Sequence, residues 1–277
     1  MIRERVTGVD LLRRPGTGGT TPIVLLHGIG SDAATWEPMI AALDPAFEVM
    51  AWDAPGYGHS TPLPEVSPTP GQYADRLADV LDTLSWDRVV LVGHSLGSLF
   101  AARFAALHPQ RVRALMLLSP ASGYGVAANA ALPPNVQARI DDLAALGPAE
   151  FAAKRAARLV YRPDAKPDVL AGVRRAMAAV NPAGYAQAVR ALATGTLLDD
   201  AARVAAPSLV AVGSEDVVTP PANARAVRDV LVKARPLVLV PDAGHALPQE
   251  APAAVAGLLT TLMTEVSDVI AIMLHNH

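Results

Sequence analysis

The chain has no cysteine among its 277 residues. That excludes disulfides, thiolate metal sites and a cysteine nucleophile. Charge is also sparse. Charged residues make up 18% of the chain, below the usual share of about a quarter, and 51% are hydrophobic. Such a chain fills a sizeable core and does not read as disordered. The net charge of -3 gives no electrostatic reason to expect nucleic acid or an acidic membrane as a partner. No uninterrupted apolar run approaches the roughly 18 residues that span a bilayer. The opening MIRERVTGVDLLRRPG lacks the apolar core of a signal peptide, so the expectation is a soluble, cytoplasmic protein. No group of His, Asp and Glu has ligand spacing, and His275 and His277 are too sparse, so no metal is expected. HGIGSD lacks the third glycine of a dinucleotide fingerprint, and no cofactor is expected.

What is present is a series of short apolar runs, each closed by Gly, Pro, Asp or Ser. They are residues 23–28, 47–53, 88–95, 114–120, 208–216 and 236–245. Continuous apolar strands suit a parallel sheet covered on both faces. Helical patterns lie between them, at 36–43, 73–84, 96–107, 223–231 and 252–263. This alternation predicts an α/β fold with a mostly parallel open sheet and helices on both faces. RERVTGVDLLRR is expected to add a hairpin of edge strands, and VIAIMLHNH to end a packing helix. Residues 121–198 break the alternation. They hold three Ala-rich helical segments, GPAEFAAKRAARLVYR, KPDVLAGVRRAMAAV and NPAGYAQAVRALATG, and no strand pattern. This predicts an all-helical cap, 121–198, on a core of residues 1–120 and 199–277.

In an open α/β sheet, ligands bind beyond the carboxyl ends of the strands. There the sequence places His27-Gly28-Ile29-Gly30, Asp53, His94-Ser95, Ser119, Glu215-Asp216 and His245, in that order. A serine, an acid and a histidine therefore gather from three strands, in one of the known chain orders of a catalytic triad. Gly93-His94-Ser95-Leu96-Gly97 fits G-x-S-x-G, in which a serine sits on a sharp strand-to-helix turn. A Cβ at either glycine would obstruct the close approach of neighbouring backbone. Asp216 is favoured over the adjacent Glu215 as the acid. His27 is expected to shape its turn, Asp53 and His59 to tie down a loop, His94 to flank the site mouth or to pack, and His108 to end a helix.

With LLHGIGSDAATW, WDAPGYGHS, VGHSLGS, VGSEDVVTPP and VPDAGHALPQEAP, the chain resembles the α/β-hydrolase superfamily, in its small capped serine esterase or lactonase form. The resemblance implies Ser95 as nucleophile, His245 as general base and Asp216 as the acid that orients it. It implies an oxyanion hole from the backbone N–H groups of Ile29 and Leu96, and a cap that shapes the pocket. Haloalkane dehalogenases and epoxide hydrolases of this fold carry Asp as nucleophile, and dienelactone hydrolases Cys; Ser95 sets those readings aside. Carbon–carbon bond hydrolases often place Asn before the serine and Met after it, where this chain has His94 and Leu96.

The expected activity is hydrolysis of a small-molecule carboxylic ester or lactone through an acyl-enzyme. The alternatives are hydrolysis of a carbon–carbon bond in a diketo acid, and non-catalytic ligand binding on the same fold. The cap carries nine basic and five acidic residues, a charge of +4, which leaves -7 for the rest of the chain. That asymmetry raises the expectation of an anionic substrate.

Overall fold

The computed structural model describes the backbone of residues 1–275 and the side chains of residues 1–265. Among them, one eight-stranded sheet forms from β1 (Ile2–Val6), β2 (Val9–Arg14), β3 (Ile23–Leu26), β4 (Val49–Trp52), β5 (Val89–His94), β6 (Val112–Leu118), β7 (Ser208–Gly213) and β8 (Val238–Val240). The order is β1-β2-β4-β3-β5-β6-β7-β8. The β1–β2 hairpin joins antiparallel through β2 and β4, and β4 to β8 run parallel. All six apolar runs and the N-terminal hairpin are therefore strands of one sheet. The packing expected of VIAIMLHNH, and any part played by His275 and His277, lie outside the described side chains.

The runs read as continuously apolar because neither face of the sheet meets water. Val24, Leu26, Leu91 and Val210 point into one core, and Ile23, Leu25, Val90, Val92 and Leu209 into the other. This is the period-2 alternation of a strand with both faces buried. Helices α1 (Glu37–Ala42) and α9 (Pro252–His275) cover one face. Helices α2 (Pro70–Thr83), α3 (Leu96–Leu107) and α8 (Pro221–Val230) cover the other. Proline opens many of these helices, where its missing N–H costs no hydrogen bond. In α2, Pro70 follows Thr69, whose side chain pairs with that of Gln72 in a capping box.

Between β6 and β7 the chain forms α4 (Pro134–Arg155), α5 (Pro167–Ala178), α6 (Pro182–Thr194) and the short α7 (Leu197–Ala201). The sequence reading began the first helical segment at Gly147. The helix begins at Pro134 and kinks where Gly147 takes φ 72° ahead of Pro148. The two legs of the excursion are bonded to each other: Val126 N–H to the Ala193 carbonyl at 2.9 Å, and Leu197 N–H to the Ser122 carbonyl at 3.0 Å. Arg175 grips Asp32 with two bonds of 2.8 and 3.2 Å, and Lys166 meets Glu250 at 2.8 Å. These ties hold the helices over the carboxyl ends of the strands. Among the described residues, no helix is long and apolar enough to cross a membrane.

Candidate active site

Ser95 sits between β5 and α3 with φ 51° and ψ -114°, a left-handed conformation that costs a serine on the order of 1–3 kcal/mol. The surrounding backbone enforces it. The Ser95 N–H bonds the Leu118 carbonyl at 2.9 Å, and the Ser95 carbonyl accepts the Ala121 N–H at 3.2 Å. A Cβ at Gly97 would stand 2.1 Å from the Leu26 carbonyl oxygen, and one at Gly93 2.5 Å from that of Gly97. Glycine at both places lets α3 pack directly against β3 and β5. Ser98 fits the same crossing by bonding its hydroxyl to the Gly93 carbonyl at 3.0 Å.

The turns after β7 and β8 bring Asp216 and His245 to this serine. Ser95 Oγ lies 3.0 Å from His245 Nε2, and His245 Nδ1 lies 2.9 Å from Asp216 Oδ2. All three residues are buried. Burial alone would raise the carboxyl pKa of Asp216. The hydrogen bond and charge of His245, with the Thr219 and Val218 N–H groups, outweigh it and hold the pKa near 2. The ionised carboxylate accepts from Nδ1, and a ring with its single proton there leaves Nε2 to accept from Ser95. The arrangement can thus draw a proton from the serine hydroxyl. Glu215 points outward: it is exposed and touches the Ser214 hydroxyl instead.

Thr219 and Glu250 carried no sequence signal, and His94 was expected only to flank the site mouth or to pack. The Thr219 hydroxyl lies 2.9 Å from Asp216 Oδ2, 2.9 Å from the Ser119 carbonyl and 3.1 Å from His245 Nδ1. His94 is buried and donates from Nε2 to the His245 carbonyl at 2.7 Å. Burial, reinforced by the neighbouring His245, pushes the His94 pKa down to about 3, so the ring is neutral. Glu250 accepts the Gly244 N–H at 2.9 Å, the Tyr161 N–H at 3.0 Å and Lys166 Nζ at 2.8 Å. The Ala246 N–H adds a bond to the Leu159 carbonyl at 2.9 Å. Consecutive backbone groups around His245 are therefore all held.

The turn after β3 closes the site from the other side. His27 accepts the Ala54 N–H at Nε2, 3.0 Å away, and donates from Nδ1 to the Gly28 carbonyl at 2.8 Å. Burial lowers its pKa, consistent with a neutral ring that braces the turn. Asp53 accepts the Ala33 N–H and Arg3, each at 2.7 Å. His59 departs from expectation: it is exposed and makes no hydrogen bond among the described residues, and the neighbouring Ser60 ties the loop through the Asp53 carbonyl at 2.6 Å. Ile29 and Leu96 flank Ser95, and neither N–H is engaged by another group among the described residues. Such free N–H groups beside a nucleophilic oxygen suit a developing oxyanion. A cavity of about 550 Å³ opens above Ser95 and His245, with Phe151, Met177, Tyr185 and Leu192 among its walls. Among the described residues, no group of three or more His, Asp or Glu side chains could hold a metal ion.

Fold and site together define a class. A model of the alpha/beta hydrolase fold matches residues 21–252, and the chain belongs to that family. It is similar in sequence to the poly(3-hydroxyalkanoate) depolymerase of Ectopseudomonas oleovorans, 38% identical over 110 residues, which cover 40% of this chain and 38% of that protein. The match thus spans well under half of that curated relative. Whole solved structures align more fully. An enol-lactonase from Burkholderia xenovorans LB400 superposes with TM-score 0.84 at 27% identity, over 95% of this chain and 100% of the other. A thermophilic esterase from Thermogutta terrifontis superposes with TM-score 0.83 at 26% identity, over 96% and 99%.

Proposed function

We propose that this α/β hydrolase cleaves carboxylic esters or lactones with Ser95 as nucleophile. The observation that carries the reading is the hydrogen-bonded line from Ser95 Oγ through His245 to Asp216, opening into a cavity. The enol-lactonase and esterase likenesses support the same bond class.

In this reading, Ser95 Oγ attacks the carbonyl carbon as its proton passes to His245 Nε2. The carbonyl π electrons move onto oxygen, and the Ile29 and Leu96 N–H groups hold that oxyanion. Its collapse breaks the bond to the alkoxy oxygen, which takes the proton from His245 and departs. In a lactone the alkoxide end stays tethered to the acyl group. A water then gives its proton to His245, attacks the acyl-enzyme and releases the acid, and Ser95 recovers its proton. Asp216 stabilises the imidazolium throughout and is not itself protonated. Residues 121–198 act as the cap that forms the cavity roof, over a core of residues 1–120 and 199–277.

A panel tests this: short-chain 4-nitrophenyl esters, five- and six-membered lactones, and diketo acids followed by absorbance. Ester or lactone turnover is the expected result. Cleavage of diketo acids alone would move the assignment to carbon–carbon bonds. Tight binding with no turnover of any of them would make the protein a receptor.

A further inference from the structure

The cavity above Ser95 carries an unbalanced charge. Arg139, Lys154, Arg155 and Arg158 line it, and no Asp or Glu does. Only Arg155 is paired, with Asp142 at 2.5 Å, whose charge also acts on Lys154 without an ion-pair contact. Arg139 lies beside the Tyr185 hydroxyl, and Arg158 reaches the Val217 carbonyl at 3.4 Å; neither contact supplies a counter-charge. Among the described residues Arg139, Lys154 and Arg158 form no ion pair. Glu150, one turn before Lys154, makes no ion pair with it among the described residues. Some basic side chains over the strand ends are matched: Arg175 with Asp32, Lys166 with Glu250, Arg103 with Asp200. Arg162, Arg174 and Arg190 of the same excursion also stand outside any ion pair among the described residues but lie off the cavity; Arg139, Lys154 and Arg158 are set apart by sharing the wall that meets Ser95.

Resting on the ester or lactone reading, we propose that the substrate bears a carboxylate, which Arg139, Lys154 and Arg158 receive at the cavity mouth. The placement fits that chemistry. Phe151, Met177 and Leu192 give the cavity apolar walls for a short carbon skeleton. Lys154 and Arg158 are exposed at the rim, where they meet an anion before it is desolvated. Arg139 is half-buried, and its planar fork can accept a carboxylate through two parallel hydrogen bonds. The +4 of residues 121–198 over the -7 of the remaining chain steers anions toward this wall.

The test compares 4-nitrophenyl hexanoate with mono-4-nitrophenyl adipate, equal in acyl length and different in the terminal carboxylate. A third ester, 5-butanoyloxy-2-nitrobenzoate, puts the carboxylate on the leaving group instead. At least one anionic ester should exceed the neutral one in kcat/KM by roughly tenfold, a preference that salt weakens. In the Lys154→Gln/Arg158→Gln double variant, the anionic-to-neutral ratio should collapse toward one. The charge-reversed Lys154→Glu/Arg158→Glu variant should invert it. Adipate and hexanoate binding to the Ser95→Ala protein, measured by calorimetry, reads the same subsite without turnover. Adipate should bind more tightly, and lose that advantage in the double variant. Ester turnover with no anion preference, and adipate binding no tighter than hexanoate, overturns the subsite while leaving the hydrolase reading intact. Preferential adipate binding in a protein that turns over no ester overturns the hydrolase reading and leaves the subsite standing.

Discussion

Glu250 holds Gly244, the residue before His245, through a 2.9 Å hydrogen bond to its N–H, while its other carboxylate oxygen binds Lys166 and the Tyr161 N–H. One buried carboxylate thus ties the histidine turn to the helical excursion. Removing one partner of a buried pair strands the other. Because Lys166 keeps 23% of its side-chain exposure, the cost falls below that of a fully buried pair. Glu250→Ala should destabilise the protein by about 2–3 kcal/mol in urea unfolding and lower kcat more than it alters KM. Loss of stability with unchanged kcat would show that Glu250 anchors the excursion without positioning His245.

Ser95→Ala should reduce ester turnover by on the order of 10⁶ in kcat and leave the fold intact. His245→Ala should cost about as much, and the double variant little more, because the two groups act as one unit. Additive losses in the double-variant cycle would contradict the shared role.

Asp216→Asn should lower kcat by roughly 10⁴, since an amide favours the wrong imidazole tautomer. Glu215→Gln should leave kcat near wild type, because Glu215 faces solvent. Comparing the two variants on one ester assigns the acid directly, and a crippled Glu215→Gln would move it one residue earlier.

His94 sets a pH dependence of stability. Its folded-state pKa of about 3 lies below the ordinary 6.5, so the unfolded chain binds the extra proton first. The stability from neutral His94 is therefore complete above pH 6.5 and is lost as the pH falls toward 3. The slope is at most about 1.4 kcal/mol per pH unit. Asp216 acts lower: its stabilisation is present above the ordinary 3.8 and lost as the pH falls to about 2. His94→Gln puts an amide N–H where Nε2 donates to the His245 carbonyl and removes the titration. Its urea midpoint should fall less than that of the wild type between pH 7 and 4.5. Parallel curves would place the acid sensitivity elsewhere.

The central strands were legible because both of their faces are buried, which writes β3 to β7 as nearly unbroken apolar runs. G-x-S-x-G was legible because Gly93 and Gly97 answer to a local steric demand. Residues 134–146 were not, although Val136, Ile140, Leu143 and Leu146 fall at helical spacing and pack on the core: Gly147-Pro148 reads as a break, and the structure bends the helix there without ending it. Glu250 reads as a lone acid in PQEAP, since two of its partners lie 84 and 89 residues away and one of those is a backbone N–H. For His94, the choice between flanking the mouth and packing stayed open in the sequence for a related reason. Its partner is the His245 carbonyl, 151 residues on, and a backbone acceptor leaves no mark on residue identity. Thr219 looked like a turn former until the turn placed its hydroxyl between Asp216 and Ser119.

The central claim is that Ser95 carries the acyl group. Rapid mixing with a 4-nitrophenyl ester, acid quench and peptide mass mapping tests it most directly. A burst of one equivalent of 4-nitrophenolate should appear with an acyl adduct on Ser95, both absent from Ser95→Ala. Turnover with no burst and no adduct under any quench, or an adduct on another residue, would contradict it.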